Sequence, residues 1–121
     1  MSPGVYVDLA YELKEIEYSV ETLTDDEKTK YNTWLVAQET YAADASEENQ
    51  TAMNTAYTDY NDTLDTDVKQ KKADWLKAQS DYRFNVAGVT NDTIKTKYSA
   101  YLSALNTAIE TAWNEEGYYV L

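Results

Sequence analysis

Apolar side chains recur along this chain at alternating steps of three and four, the spacing that lines one face of an α-helix. Tyr6, Leu9, Leu13, Ile16, Val20 and Leu23 form the first such seam. Ser2 and Pro3 stand where a cap and a first-turn proline open it. Thr24-Asp25-Asp26-Glu27 reads as a capping box and predicts a second helix, with Tyr31, Trp34, Gln38, Tyr41 and Ala45 as its seam. Ser46-Glu47-Glu48 predicts the start of a third, carrying Met53, Tyr57, Tyr60 and Leu64. A fourth seam runs through Val68, Trp75, Gln79, Tyr82 and Val86, with Gly88 as its stop. Thr90-Asn91-Asp92 opens a fifth helix with Ile94, Tyr98, Tyr101, Leu105, Ala108 and Ala112, and Gly117 closes it.

The third and fourth seams lose phase between Leu64 and Val68. The stretch Asn61-Asp62-Thr63-Leu64-Asp65-Thr66-Asp67 is rich in side chains that compete for backbone hydrogen bonds. A helix break near 65 with Asp65 or Thr66 as cap is the expectation; one continuous helix over 47–86 is the alternative. The fold class is all-α: an antiparallel bundle of four or five helices in a single domain, 1–121, with short extended arms at about 1–7 and 117–121. Leu13, Ile16, Trp34, Leu35, Trp75, Leu76, Tyr98, Tyr101 and Leu105 are expected to be largely buried.

The chain echoes itself. Trp34-Leu35-Val36-Ala37-Gln38-Glu39-Thr40-Tyr41 matches Trp75-Leu76-Lys77-Ala78-Gln79-Ser80-Asp81-Tyr82 at five of eight positions, 41 residues on. Lys28-Thr29-Lys30-Tyr31 recurs as Lys95-Thr96-Lys97-Tyr98. Forty-one residues is the length of a helical hairpin, so either a duplication or two helices meeting similar core demands explains the match. Gln38 and Gln79 interrupt apolar seams: their amides pair across facing helices, or each lies at a seam edge and reaches water.

The two ends are short, aromatic and β-branched: Val5, Tyr6 and Val7 after Gly4, and Tyr118, Tyr119, Val120 and Leu121 after Gly117. Tyr6 fits either the first helical turn or an arm. Read as arms, these seven residues are the candidate interaction residues, pairing as added strands with each other or with a neighbour. The hexapeptide Ser2-Pro3-Gly4-Val5-Tyr6-Val7 resembles the N-terminal arm of contractile-tail sheath proteins of bacteriophages, whose extended arms stitch neighbouring subunits together. That resemblance implies a docking arm at residues 2–7. The small, acidic, Thr-, Asn- and Tyr-rich composition is similar to that of minor virion proteins of tailed phages.

Charge divides the chain. Residues 1–65 carry 15 acidic and 3 basic side chains, whereas residues 66–121 carry 7 of each, so the whole net charge of −12 sits in the first half. Such an acidic surface argues against direct contact with nucleic acid or an anionic membrane. The basic cluster Lys69, Lys71, Lys72 and Lys77 is a counterpart for the acidic half, within one chain or between subunits. With 12 Tyr and 3 Trp against one Phe, the aromatic set suits interfaces, where a ring packs and a hydroxyl stays available.

The sequence has no Cys and no His. That removes disulfides, thiolate metal sites, the commonest general base and the commonest transition-metal ligand. The alternating oxygens of Asp59–Asp67 imitate a calcium loop, but Leu64 stands where the turn needs Gly and Gln70 where a bidentate Glu belongs. Carboxylate pairs such as Glu12 with Glu15, or Asp25 with Asp26, read as a solvated face. No catalytic residue, metal or cofactor is expected. The start lacks the basic and apolar regions of a signal peptide, and no apolar run reaches membrane-spanning length. The expectation is a non-enzymatic structural or assembly protein that oligomerises or docks on protein partners, a phage head, neck or tail component located in the virion or bacterial cytoplasm. The alternatives are an acidic nucleic-acid mimic that inhibits a DNA- or RNA-binding protein, and a small regulatory adaptor.

Overall fold

The computed structural model describes residues 13–115, which form five α-helices and no strand. Helix α1 occupies residues 13–21, followed by α2 (Asp25–Ala43), α3 (Glu47–Thr63), α4 (Asp67–Arg83) and α5 (Asn91–Glu115). The two expected arms, with Val5, Tyr6, Val7, Tyr118, Tyr119, Val120 and Leu121, lie outside the described residues. So do Leu9 and the Gly117 stop.

The helix starts follow their caps. At Thr24 both halves of the capping box form: the Glu27 amide donates to Thr24 Oγ1 at 3.2 Å, and the Thr24 amide to Glu27 Oε1 at 2.8 Å. Ser46 accepts from the Asn49 amide and Thr66 from the Lys69 amide. Leu64 is a C-cap and Thr66 an N-cap, so the chain breaks at 64–66 and residues 47–86 are not one helix. The polar run around Asp65 is therefore an interhelical turn.

Helix α4 ends earlier than its glycine suggests. It stops at Arg83, five residues before Gly88. Asn85 takes a left-handed φ of 60°, the Asn85 amide donates to the Tyr82 carbonyl, and the Val86 amide donates to the Asp81 carbonyl at 2.9 Å. This paired closure satisfies carbonyls that the helix end would leave open, and Asn is the non-glycine residue that best tolerates the conformation.

Helix α2 packs along α3, and α4 along α5, giving two helical hairpins in sequence. The first hairpin buries Trp34, Tyr41, Met53, Ala56, Tyr57, Tyr60 and Leu64, and α4 adds Ala73 to that cluster. The second buries Val68, Tyr101 and Leu105, with Val20 of α1 packed against them. Of the expected anchors, Ile16, Trp34, Tyr101 and Leu105 are buried, while Leu35, Trp75 and Leu76 are half-buried.

Leu13 and Tyr98 are exposed, and the α4 seam is rotated from the expected one. Val68 is buried, but Gln79 and Tyr82 face outward; Lys69, Ala73, Ala78, Ser80 and Asp81 are buried instead. The reason is that α4 has two neighbours. It must cover the first hairpin as well as pair with α5, so small and charged residues occupy the side that an apolar count assigns to solvent.

Candidate functional site

Two groups of side chains decide how the hairpins are joined and what is left free. The first is a buried charge cluster at the chain's midpoint. Glu27, only 1% exposed, accepts from Lys69 Nζ at 2.9 Å and from the backbone amides of Thr24 and Asp65 at 2.8 and 3.1 Å. Lys69 also donates to Asp65 Oδ1 at 2.9 Å. Burial alone would push the Glu27 carboxyl upward, but the bonds from Lys69, Thr24 and Asp65 outweigh it and hold the group below its ordinary value. The Lys69 ammonium is likewise disfavoured by burial, yet bonds to Glu27 and Asp65 carry it above its ordinary value. Nearby, Lys72 meets Glu21 at 3.4 Å. The basic cluster of α4 thus meets the acidic half within one chain at Lys69 and Lys72. Lys77 and Lys71 pair inside α4, with Asp81 and Asp67.

The second group is aromatic and repeats. Trp34 of α2 stacks on Tyr60 of α3, with centroids 5.8 Å apart and an 18° interplanar angle, and meets Tyr57 edge-on at 5.1 Å. Forty-one residues on, Trp75 of α4 stacks on Tyr101 of α5 at 5.4 Å and 9°, and meets Tyr98 at 4.7 Å. The offset that relates Trp34 to Trp75 therefore also relates Tyr57 to Tyr98, Tyr60 to Tyr101, and the buried Leu64 to Leu105. The hairpins are structural equivalents, beyond the eight-residue match in their first helices. The Lys28–Tyr31 echo is not part of this equivalence, because it relates α2 to α5.

What differs between the hairpins is cover. In the first, α4 lies over the aromatic face: the Tyr57 hydroxyl donates to Asp74, Lys77 Nζ sits 5.5 Å from the centre of the Tyr57 ring, and Asn61 donates to the Gln70 carbonyl. In the second, α1 reaches only Val68, Tyr101 and Leu105, with Glu21 accepting from the Tyr101 hydroxyl, and Tyr98 is left exposed. Tyr57 is 8% exposed but Tyr98 40%; Tyr41 is 8% exposed but Tyr82 44%. Gln38 is buried while Gln79 is exposed; both line one cavity between α2 and α4, but no hydrogen bond joins their amides, so the pairing alternative is not met and the water-edge alternative holds for Gln79 alone. Leu102, the equivalent of Asn61, is also exposed. Trp75, Tyr82, Tyr98 and Leu102 give α4 and α5 an open aromatic face.

Elsewhere, an open groove of about 660 Å³ runs between α1, the start of α4 and α5, floored by Val20, Val68 and Ala104. Its walls are mostly small side chains, with the Lys69–Asp65 and Lys71–Asp67 ion pairs at one end. Among the described residues, no group of three or more Asp or Glu is placed to hold a metal ion. No described helix is long and apolar enough to cross a membrane.

Spacing alone hides the open face because Tyr82 and Tyr98 both lie on good helical seams, and Tyr98 is expected in the core. The available signal was the 41-residue echo, which relates these residues to their counterparts in the first hairpin. Comparison with protein-family models, with curated proteins and with solved structures finds no match to this chain.

Proposed function

We propose that this protein is a non-enzymatic structural or assembly protein that works by oligomerising or docking on protein partners. The observation that carries this reading is the open aromatic face on α4 and α5, whose equivalents in the first hairpin are buried by a helix. Exposed Tyr and Leu gathered on one face favour protein contact, since rings bury apolar area while their hydroxyls find partners. The chain's chemistry points the same way. It offers no His or Cys, and its buried carboxylates, Glu27 and Asp81, are engaged by lysines. Within this class we assign it to a tailed-phage virion, as a head, neck or tail accessory component. The support is the sheath-like hexapeptide Ser2–Val7 and the small acidic composition.

Sedimentation analysis over a wide concentration range, with mass spectrometry of native particles that contain the chain, tests this. The expected result is an oligomer, or stoichiometric incorporation into a particle. A chain that stays monomeric at millimolar concentration and is absent from every particle overturns the reading.

A further inference from the structure

We infer that the open face of the second hairpin is the seat of a second copy of this chain, whose helix α2 docks there head-to-tail as α4 docks on the first hairpin. This rests on the assembly reading and names its partner and geometry.

The contact already exists once inside the chain. Helix α4 covers the first hairpin by placing Asp74 on the Tyr57 hydroxyl, Lys77 over the Tyr57 ring, and the Gln70 carbonyl on Asn61. Moving each group by one repeat gives both sides of the proposed interface. The receiving side becomes Tyr98 and Leu102, both exposed. The incoming side, one repeat back, becomes Thr33, Val36 and Thr29 on α2. All three are exposed, and Val36 is 61% exposed, an unusual position for an apolar side chain in mid-helix. Each open end of the tandem thus presents the half-interface that the other lacks. A repeat unit that cannot bury its own apolar face is stabilised by its neighbour.

The chemistry of the incoming face supports this. Thr29 Oγ1 donates to the Asp25 carbonyl at 3.0 Å, and Thr33 Oγ1 to the Thr29 carbonyl at 3.1 Å. Those hydroxyls are spent on their own helix, which leaves the γ-methyl groups as the free ends of the side chains. With Val36 they make a narrow, weakly polar stripe able to lie on tyrosine rings. Charge selects the arrangement. Placing α2 against α2 brings two halves of net charge −12 together, whereas head-to-tail docking sets the acidic half of one copy against the neutral half of the next. A heterologous contact of this kind does not close in a dimer, so copies add into a ring or an open row.

Two exposed substitutions test it. Val36→Asp disables the incoming face and Leu102→Asp the receiving face. Wild-type protein should form species larger than a dimer that grow with concentration. Each variant alone should sediment as a monomer with an unchanged helical spectrum. An equimolar mixture should form a heterodimer and nothing larger, because one intact face of each kind remains. Since the chain has no Cys, single cysteines give a second readout that does not require a disabling change: Thr33→Cys mixed with Leu102→Cys, the equivalents of Asp74 and Asn61, should give a disulfide-linked heterodimer, and neither alone a homodimer. Wild-type protein that self-associates while both aspartate variants associate equally well, or while the cysteine mixture fails to cross-link, overturns the head-to-tail contact and leaves the assembly reading standing. Variants that each dimerise alone also overturn it, in favour of a two-fold contact. A wild-type chain that is monomeric throughout overturns this contact, and with absence from every particle the assembly reading as well.

Discussion

Glu27 and Lys69 lie 42 positions apart in the chain and 2.9 Å apart in the fold, and both are buried. One belongs to the first turn of α2 and the other to the first turn of α4, so the pair fixes how the two hairpins meet. Removing one partner from a buried pair strands the other charge, at a cost of about 3–5 kcal/mol. Lys69→Met should therefore lower stability by about that much in urea unfolding. The double variant Glu27→Gln, Lys69→Met should lose less than the sum of the single changes, because neither charge is then left alone.

The same groups set a pH window. The Glu27 carboxyl lies below its ordinary value of 4.5, so its contribution is complete above 4.5 and fades as pH falls through the lower folded-state value. On the alkaline side burial, with the neighbouring Tyr31 and Glu27, pushes the Tyr60 phenol up from 10 to about 12. The contribution of keeping that phenol neutral is complete below 10 and is lost as pH rises toward 12. Burial also pushes up Tyr57 and Tyr101, helped by the carboxylates of Asp74 and Glu21 that accept their hydroxyl hydrogens. Thermal melting across pH should show a plateau between these limits, and Glu27→Gln should flatten the acid limb. Ultraviolet titration should show the phenols of Tyr57, Tyr60 and Tyr101 ionising above pH 10.

The repeat makes paired substitutions informative. Trp34 is buried under α4 and Trp75 is only half-buried, although each stacks on its own tyrosine. Trp34→Ala should cost about 3–5 kcal/mol. Trp75→Ala should cost clearly less in the isolated chain, because less of its ring leaves water. Equal losses in denaturant unfolding would mean that the second aromatic face is covered in solution.

Ionic strength separates the two leading function classes. Copies carrying a net charge of −12 repel one another, so added salt should strengthen self-association by screening. A nucleic-acid mimic acts through attraction to a basic protein, and salt should weaken that binding steeply. Sedimentation at low and high salt checks the first outcome. Self-association that weakens as salt rises would count against the docking contact.

Capping gives a local test. Thr24 anchors α2 and shares Glu27 with the buried pair. Thr24→Ala should cost about 1 kcal/mol, the usual loss for a capping side chain. Ser46→Ala should cost a similar amount at α3, read as a shift of the urea midpoint.

The sequence by itself determined the helices and most of their boundaries. These depend on contacts a few residues apart: the Thr24 capping box, the Ser46 and Thr66 caps, and the apolar spacing of α2 and α3. It also carried the 41-residue echo that marks the two hairpins. One local miss was the end of α4, where Asn85 takes the left-handed closing position and Gly88 stands further out. What only the tertiary structure decided is which face of each helix meets which neighbour. Spacing shows that Tyr57 and Tyr98 share a helical pattern, but not that α4 lies over one while the other is left exposed. Nor could it show Glu27, Asp65 and Lys69 converging, because a buried ion pair exists only once distant segments have excluded water around it. The ends read as arms, residues 2–7 and 117–121, lie outside the described structure.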